Sequence, residues 1–332
     1  MKTLEDFKPF YQQLLPQLHK LENITLETLE KVARMKQVYI SFTPVWLVIT
    51  LIVGIVIYNS SLEDPANGVV DALVNTGIVT SLMVLGWWGW YFAMKDWLCN
   101  KWYFSRIYEF ALAYIICFID PNMRFEPDKC IHPDLYVHSS LFRKEFDGYT
   151  GQHLVYGDIG KTSIMFSELY IWYDYEDEDG DKRRSDIFKG IFMTADFHKH
   201  FKHKTTIVPV LSIKPHFAEG LGEPIEMEDQ EFESEFSVYS TDPIEARYLL
   251  STSMMQNMLR FKAKMQQPVH FSFIDDRFYI AIKNGKLVDF PAVEKTLLDE
   301  ATAFDIFDNV ILFADIVEDL NLNTRIWSKQ SA

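Results

Sequence analysis

Two long apolar runs without a single Asp, Glu, Lys or Arg, residues 37–62 and 72–94, limit what this chain can fold into more than any other feature. Each exceeds the ~20 residues that an α-helix needs to cross ~30 Å of hydrocarbon at ~1.5 Å per residue. In the first, the stretch from Val45 to Ile57 holds nothing that lipid penalises, and Pro44 stands where a missing N–H is tolerated. The second ends in Trp87-Trp88-Gly89-Trp90-Tyr91, a cluster suited to a headgroup boundary. We therefore expect a transmembrane hairpin over residues 37–94, with spans of about 38–58 and 73–94 and a short outer loop at 59–72. The alternative, two buried helices of a soluble core, fits poorly with such length free of charge.

Orientation follows from the flanks. Lys31, Arg34 and Lys36 precede the first run, and Lys95, Lys101 and Arg106 follow the second, whereas the linker carries Glu63, Asp64 and Asp71. The positive-inside rule then places both termini in the cytoplasm. The first run starts too far from Met1 and lacks a small-residue cleavage site, so no removable signal peptide is expected.

The remaining chain is long enough for its own core. The net charge of the whole chain, −15, makes this body acidic, which disfavours nucleic acid as a partner and disfavours lying flat on an anionic leaflet. Cys99, Cys117 and Cys130 have no metal-ligand spacing and read as structural thiols. No cofactor or metal is indicated.

Taken in order, residues 1–36 read as a cytoplasmic helical hairpin, with Leu14, Leu18 and Leu21 on one face and Pro9 and Pro16 as breaks. Residues 95–149 read as juxtamembrane helices, at 102–119 and again at about 135–146, with Asp120-Pro121-Asn122 as the stop between them. Residues 150–332 read as a cytoplasmic α+β domain with an antiparallel sheet and packed helices. There, residues 164–173 and 187–195 favour strands; a two-residue turn at Asp179-Gly180 sets Asp177 against Lys182 and Glu176 against Arg183. The same acidic stretch makes a poor calcium loop, since Tyr175 and Asp186 occupy its first and twelfth places. Asp242 as N-cap, Pro243 at N1 and Glu245 at N3 start a helix, with Ser251 or Thr252 as a point of restart, that ends before Pro268; its methionines read as core. A meander follows at 269–274, 277–282 and 287–290. Its turns fall at Asp275-Asp276 and Asn284-Gly285, pairing Phe273 with Phe278 and Ile282 with Leu287. A last helix spans 293–320.

Two motifs invite function and fall short. Gly160-Lys161-Thr162 ends like a phosphate loop, yet position 155 is Val and the following residues read as strand, so a strand-entry turn is favoured. His198, His200 and His203 stand among Lys199, Lys202 and Lys204, whose charge opposes a metal cation and makes an anion-facing patch the better reading. No nucleophile elbow, zincin helix, dinucleotide fingerprint or carboxylate pair appears.

The segment 227–250, with Thr241-Asp242-Pro243-Ile244-Glu245-Ala246-Arg247-Tyr248 at its centre, resembles the signature of the bacterial DUF3137 family. Gly160-Lys161-Thr162 with Phe166-Ser167-Glu168-Leu169, Phe188-Lys189-Gly190 leading to Ala195-Asp196-Phe197, and Leu320-Asn321-Leu322-Asn323-Thr324-Arg325-Ile326-Trp327 resemble its pattern in the same order. The resemblance implies a bacterial inner-membrane protein with a cytoplasmic α+β body and no assigned activity, and it points to a LemA-type membrane protein as partner.

Within the signature, packing of Tyr248 and Leu249 into the sheet would draw Arg247 toward low dielectric, where Glu168 or Glu245 could pair with it. The rival reading gives Arg247 an anionic ligand. The sequence thus points to a membrane-anchored interaction or regulatory module whose partners are the bilayer and either a membrane protein or a second copy of itself. A membrane-linked hydrolase with a hidden site and a cytoplasmic anion or ligand sensor are the alternatives.

Overall fold

In the computed structural model, which describes residues 3–63, 69–98, 101–197, 200–210, 221–287 and 300–319, the first element is a single helix, α1 (Leu4–Glu63). The expected N-terminal hairpin is therefore absent. Pro9 and Pro16 each remove one backbone donor, but a periodic set of buried side chains, Phe7, Tyr11, Leu14 and Leu18, carries the helix past both. Helices α2 (Val69–Leu98) and α3 (Lys101–Ile119) follow.

The chain divides into two compact units, Gln13–Tyr108 and Met1–Gln12 with Glu109–Ala332.

In the first unit α1 and α2 run antiparallel. Trp87 stacks on Tyr39 and on Trp46, both with ring centroids 4.9 Å apart, and Gly54 lies against Thr76 and Thr80. The hydroxyls of Ser41, Thr43, Thr50 and Thr80 donate to the carbonyls of Gln37, Tyr39, Trp46 and Thr76, so these polar groups are satisfied within their own helices. Leu47, Leu51, Ile55, Leu82 and Leu85 remain exposed. Among the described residues one segment, Gln37–Ser60, with a mean hydropathy of 2.5, is long and apolar enough to cross a membrane.

The second unit is built on a nine-stranded antiparallel sheet: β1 (Arg124–Glu126), β2 (Gly148–Ile159), β3 (Thr162–Glu176), β4 (Lys182–Asp196), β5 (Thr205–Pro209), β6 (Glu223–Ile225), β7 (Phe236–Ser240), β8 (Val269–Ile274) and β9 (Arg277–Lys283), in the spatial order β1-β2-β3-β4-β9-β8-β5-β7-β6. The expected α+β class with an antiparallel sheet is correct. One edge, β1, comes from the stretch read as juxtamembrane helices, where only α4 (Pro133–Ser139) is helical after α3.

Register decides what each face carries. Phe166, Met193, Ile280 and Phe271 form one row, and Glu168, Ile191, Ile282 and Val269 the next row on the same face. This face packs α5 (Gln230–Glu235), α7 (Thr252–Met265) and α8 (Glu300–Asp319), with Phe261 against Phe271 and Phe313 stacked 5.1 Å from Phe166; α6 (Pro243–Leu249), between α5 and α7 in the chain, buries Ala246 and Leu249. Phe7 stacks on Phe307 at 4.4 Å and meets Phe118, so the first turns of α1 and the end of α3 belong with this body. The opposite face carries Leu169, Ile171, Phe188 and Phe192 beneath α4 and its following loop, around Tyr136.

Several local expectations hold. Asp242 accepts from the Ile244 and Glu245 backbones, Ser251 caps α7, Phe273 pairs with Phe278, and Gly160-Lys161 forms the tight turn between β2 and β3. Two fail. Glu176 faces Lys182 and Tyr175 faces Arg183, one residue off the expected register. The loop widens to residues 177–181 around Asp177, whose carboxylate accepts from the Asp179 and Asp181 backbones and from Arg183; an irregularity beside Ile171 and Trp172 then restores the expected pairing deeper in the sheet. Asn284-Gly285 makes no hairpin, because β4 already occupies the other edge of β9 and the chain instead turns off toward Glu168. Residues 288–299, which hold the rest of the expected third strand and the start of the last helix, lie outside the described residues.

Candidate functional site

Strand β2 is irregular between Gln152 and Val155, and His153 there adopts a left-handed backbone with φ 59°. That conformation is uncommon outside glycine and survives where surroundings enforce it. Here the His153 N–H donates to Pro127 O (2.8 Å) and the Leu154 N–H to Lys129 O (3.0 Å), locking the bulge to the loop after β1. The buried imidazole faces Phe125, and its Nδ1 lies 3.4 Å from Glu168 Oε2.

Glu168 gathers the donors around it. Gln152 Nε2 donates to Oε2 (3.1 Å), and the Leu287 backbone N–H donates to Oε1 (2.8 Å). Burial pushes this carboxyl up, but His153, Gln152 and Leu287 together outweigh burial and hold it below its ordinary value. Glu168 is therefore an ionised latch on the chain at Leu287, with both carboxylate oxygens engaged by protein donors.

Beside the latch lies a cleft of about 360 Å³. Its floor is Ile191, Ile282 and Phe313, and Lys264, Asn284 and Lys286 stand at its rim. An apolar floor under ammonium groups suits an anion with an apolar part. Among the described residues no cluster of three or more His, Cys, Asp or Glu is placed to hold a metal ion.

The second feature is the β3–β4 hairpin. Strand β2 stops pairing at Gly148 opposite Trp172, and β9 stops at Lys283 opposite Gly190. Beyond those points the two strands pair with each other, with Asp147 donating to Trp172 O (3.0 Å) and accepting from the Asp174 N–H (2.7 Å) beside them. Trp172 packs over Gly148, where any Cβ would overlap the indole, and Tyr170 lies 4.9 Å from it. Arg184 stacks on Trp172 at 4.3 Å and donates to Asp174 Oδ1 (3.1 Å), while Tyr170 donates to Asp186 (2.9 Å). The extension thus presents a rigid ladder of aromatic and charged side chains.

The candidates read from sequence are dispersed. Arg247 is exposed and makes no ion pair among the described residues; Tyr248 is 50% exposed, since α6 buries Ala246 and Leu249 instead. The Arg247–Glu168 pair is thereby overturned, because the side of α6 that meets the sheet excludes Arg247. Glu245 accepts the backbone N–H groups of Lys202 (3.2 Å) and His203 (2.8 Å), tying that loop to α6. Lys202 is exposed, whereas Lys204 is half-buried and donates to Ser140 O (3.1 Å); burial, with Arg143 nearby, pushes its pKa down to about 8. Lys199 and His198 lie outside the described residues.

Three polar features escaped the sequence reading. His138 bridges Tyr279 Oη (2.8 Å) and Asp275 Oδ2 (3.1 Å), joining α4 to the β8–β9 turn. Burial pushes Tyr279 up to about 12, so it serves as a neutral tether. His270 is fully buried beside Phe142, with neither ring nitrogen in a hydrogen bond of good geometry. No local pattern announces any of the three, since their partners are more than a hundred residues away or absent.

Residues 186–322 match the family model of DUF3137, a protein of unknown function, which supports the resemblance drawn from the signature. No curated protein matches the chain. Among solved structures, the crystal structure of the mycobacterial trehalose monomycolate transport factor A, TtfA, aligns at 13% identity over 63% of this chain and 96% of that chain, with a TM-score of 0.30. At that score the likeness adds nothing to the fold or the site.

Proposed function

For a chain that carries a DUF3137 region over residues 186–322, we propose the role of a membrane-anchored interaction module, held in a bacterial inner membrane with both termini cytoplasmic. The apolar segment Gln37–Ser60, with its outward aliphatic side chains, supports one crossing, and the antiparallel α2, whose exposed Leu82 and Leu85 continue that surface, supports a return. The observation that carries the reading is the β3–β4 extension. A hairpin that leaves its sheet with a stacked Tyr170-Trp172-Arg184 ladder offers rigid aromatic and cationic anchors of the kind that dominate recognition surfaces. Glu168, by contrast, is engaged in holding the chain at Leu287. The partner is a membrane protein, of LemA type or another copy of this chain.

The test is purification of the full-length protein from native membranes in mild detergent, with Trp172→Ala and Arg184→Ala beside the unaltered chain. Specific co-purifying proteins, or self-association, should be lost in the variants. An unchanged partner set would overturn the reading. The cleft favours a second role, sensing of an anionic amphiphile, through Lys264 and Lys286 above an apolar floor; unfolding temperature measured with and without an anionic detergent at submicellar concentration tests it.

A further inference from the structure

We propose that the outer edge of β4, residues 182–189, is a self-pairing edge on which a second copy of this chain adds its own β4, antiparallel and about a two-fold axis at Ser185. The proposal rests on the reading of the body as an interaction module and names the partner and the register.

The edge is open for a structural reason. Strand β9 covers β4 only from Gly190 to Asp196. The Asn284 N–H makes the last bond along that line, to Lys189 O (2.8 Å), after which the Leu287 N–H is drawn to Glu168. Among the described residues, the segment from Lys182 to Lys189 therefore has β3 as its one ladder partner, and its outer N–H and C=O groups form a template for another strand. An isolated open edge of this length is what folded proteins ordinarily cover or blunt. Here no Pro blunts it; the extra residue of β4, Ile187, between Asp186 opposite Trp172 and Phe188 opposite Ile171, interrupts the ladder at the inner end of the segment and leaves Lys182–Asp186 regular.

Charge selects the occupant. The segment reads Asp181-Lys182-Arg183-Arg184-Ser185-Asp186-Ile187-Phe188-Lys189. With Ser185 facing Ser185 of the second copy, Arg184 faces Asp186 within the regular stretch, and symmetry repeats the pair. Lys182 and Arg183 then run toward the extra residue Ile187, where no like charge stands. A shift of one residue one way sets Lys182 against Lys189, and the other way exchanges Arg184 for Arg183 opposite Asp186, away from the guanidinium that the hairpin itself holds. Opposite charges directly across a ladder favour a register and like charges oppose it. Arg184 already lies between Asp174 and Trp172 within its own hairpin, so its guanidinium is held in place to meet the second carboxylate. Anchoring in one membrane raises the effective concentration of two such edges.

The experiment uses the full-length protein in its membrane, with Cys99, Cys117 and Cys130 replaced by Ser. Residues facing each other across an antiparallel ladder have Cα atoms about 4.5–5.5 Å apart, within disulfide reach. Ser185→Cys should give a reducible dimer on mild oxidation, while Lys182→Cys alone should not; Arg184→Cys mixed with Asp186→Cys should. Arg184→Glu and Asp186→Arg should each lower the Ser185→Cys yield several-fold, and the double exchange should restore it, an outcome that a merely structural role for either residue does not produce. Circular dichroism of each variant in detergent checks that the fold is kept. Equal yields from Ser185→Cys and Lys182→Cys, or no rescue by the double exchange, would overturn the proposal. Crosslinking of Ser185→Cys to a different protein would also overturn it while leaving the interaction-module reading intact, and that reading fails separately if Trp172→Ala keeps every partner.

Discussion

His270 should make this protein less stable in mild acid than its fold requires, and replacing it by an apolar residue should help. The imidazole lies on the face of the sheet opposite α7, beside Phe142 and fully buried. Burial first, and then the charge of Lys283, push its pKa from 6.5 to about 3, with the Ala281 backbone opposing only weakly. A base depressed in the fold stays neutral there while the unfolded chain takes up a proton below 6.5. Stability is therefore complete above that value and falls as pH drops from 6.5 toward 3. At one pKa unit per ~1.4 kcal/mol, the loss at pH 5 comes to about 2 kcal/mol. His270→Leu removes this loss, and it also removes buried nitrogens without good partners, a gain of about 1–3 kcal/mol already at pH 7.5. Urea unfolding of the full chain in detergent, followed by far-UV circular dichroism at pH 7.5, 6 and 5, measures both. Parallel pH slopes for the two proteins would refute the reasoning, because they would mean that His270 is solvated or protonated in the folded state.

Lys204→Met should raise stability at pH 7, since the amine is charged there at a cost in its half-buried place; the advantage should fade as pH rises from 8 to 10.5, where the unfolded chain also loses the proton, in thermal scans at pH 7, 9 and 10.5. Gly148→Ala should push the indole of Trp172 off the hairpin at a cost of about 1–3 kcal/mol, seen as a changed tryptophan emission together with a lower urea midpoint. Asp242→Ala removes the acceptor for two N–H groups at the start of α6 and should cost about 0.5–2 kcal/mol, with faster amide exchange confined to that helix's first turn.

What the sequence disclosed was local chemistry. Asp242 and Pro243 mark a helix start because each meets a requirement of the helix end itself, and Phe273 faces Phe278 because a two-residue turn leaves no other register. The β3–β4 pairing shows where this stops. From Ile164 opposite Ala195 to Ile171 opposite Phe188 the ladder follows the turn expected at Asp179-Gly180, yet the tip is displaced by one residue, because Asp177 organises a wider loop and an irregularity takes up the difference. Arg247 failed for another reason. Its residue type demands a partner only if buried, and a two-turn helix gives too few positions to tell which side meets the sheet. The latch was half visible: Glu168 stood out as a carboxylate within a strand, but His153, Gln152 and Leu287 reach it through a bulge and a departing chain that no spacing reveals.

That latch also ties the two features of the body together. The Leu287 N–H is held by Glu168, so residues 285–287 leave the line of β9 and, among the described residues, the edge of β4 stays open. Glu168→Ala removes the acceptor, and losing charge-assisted bonds of this kind costs about 1.5–3 kcal/mol. Residues 285–287 are then free to continue beside β4 and cover Lys189 and Phe188. The expected result is a double one: faster amide exchange at Leu287, and a lower yield of the Ser185→Cys dimer, although Ser185 lies far along the hairpin from the altered side chain. Acid should act in the same direction on the unaltered protein. The carboxyl is depressed in the fold, so its contribution is full above the ordinary carboxylate range and is lost as pH falls through the folded value. If Glu168→Ala frees Leu287 while the dimer yield stays unchanged, then the open edge owes nothing to the latch, and the two features are independent.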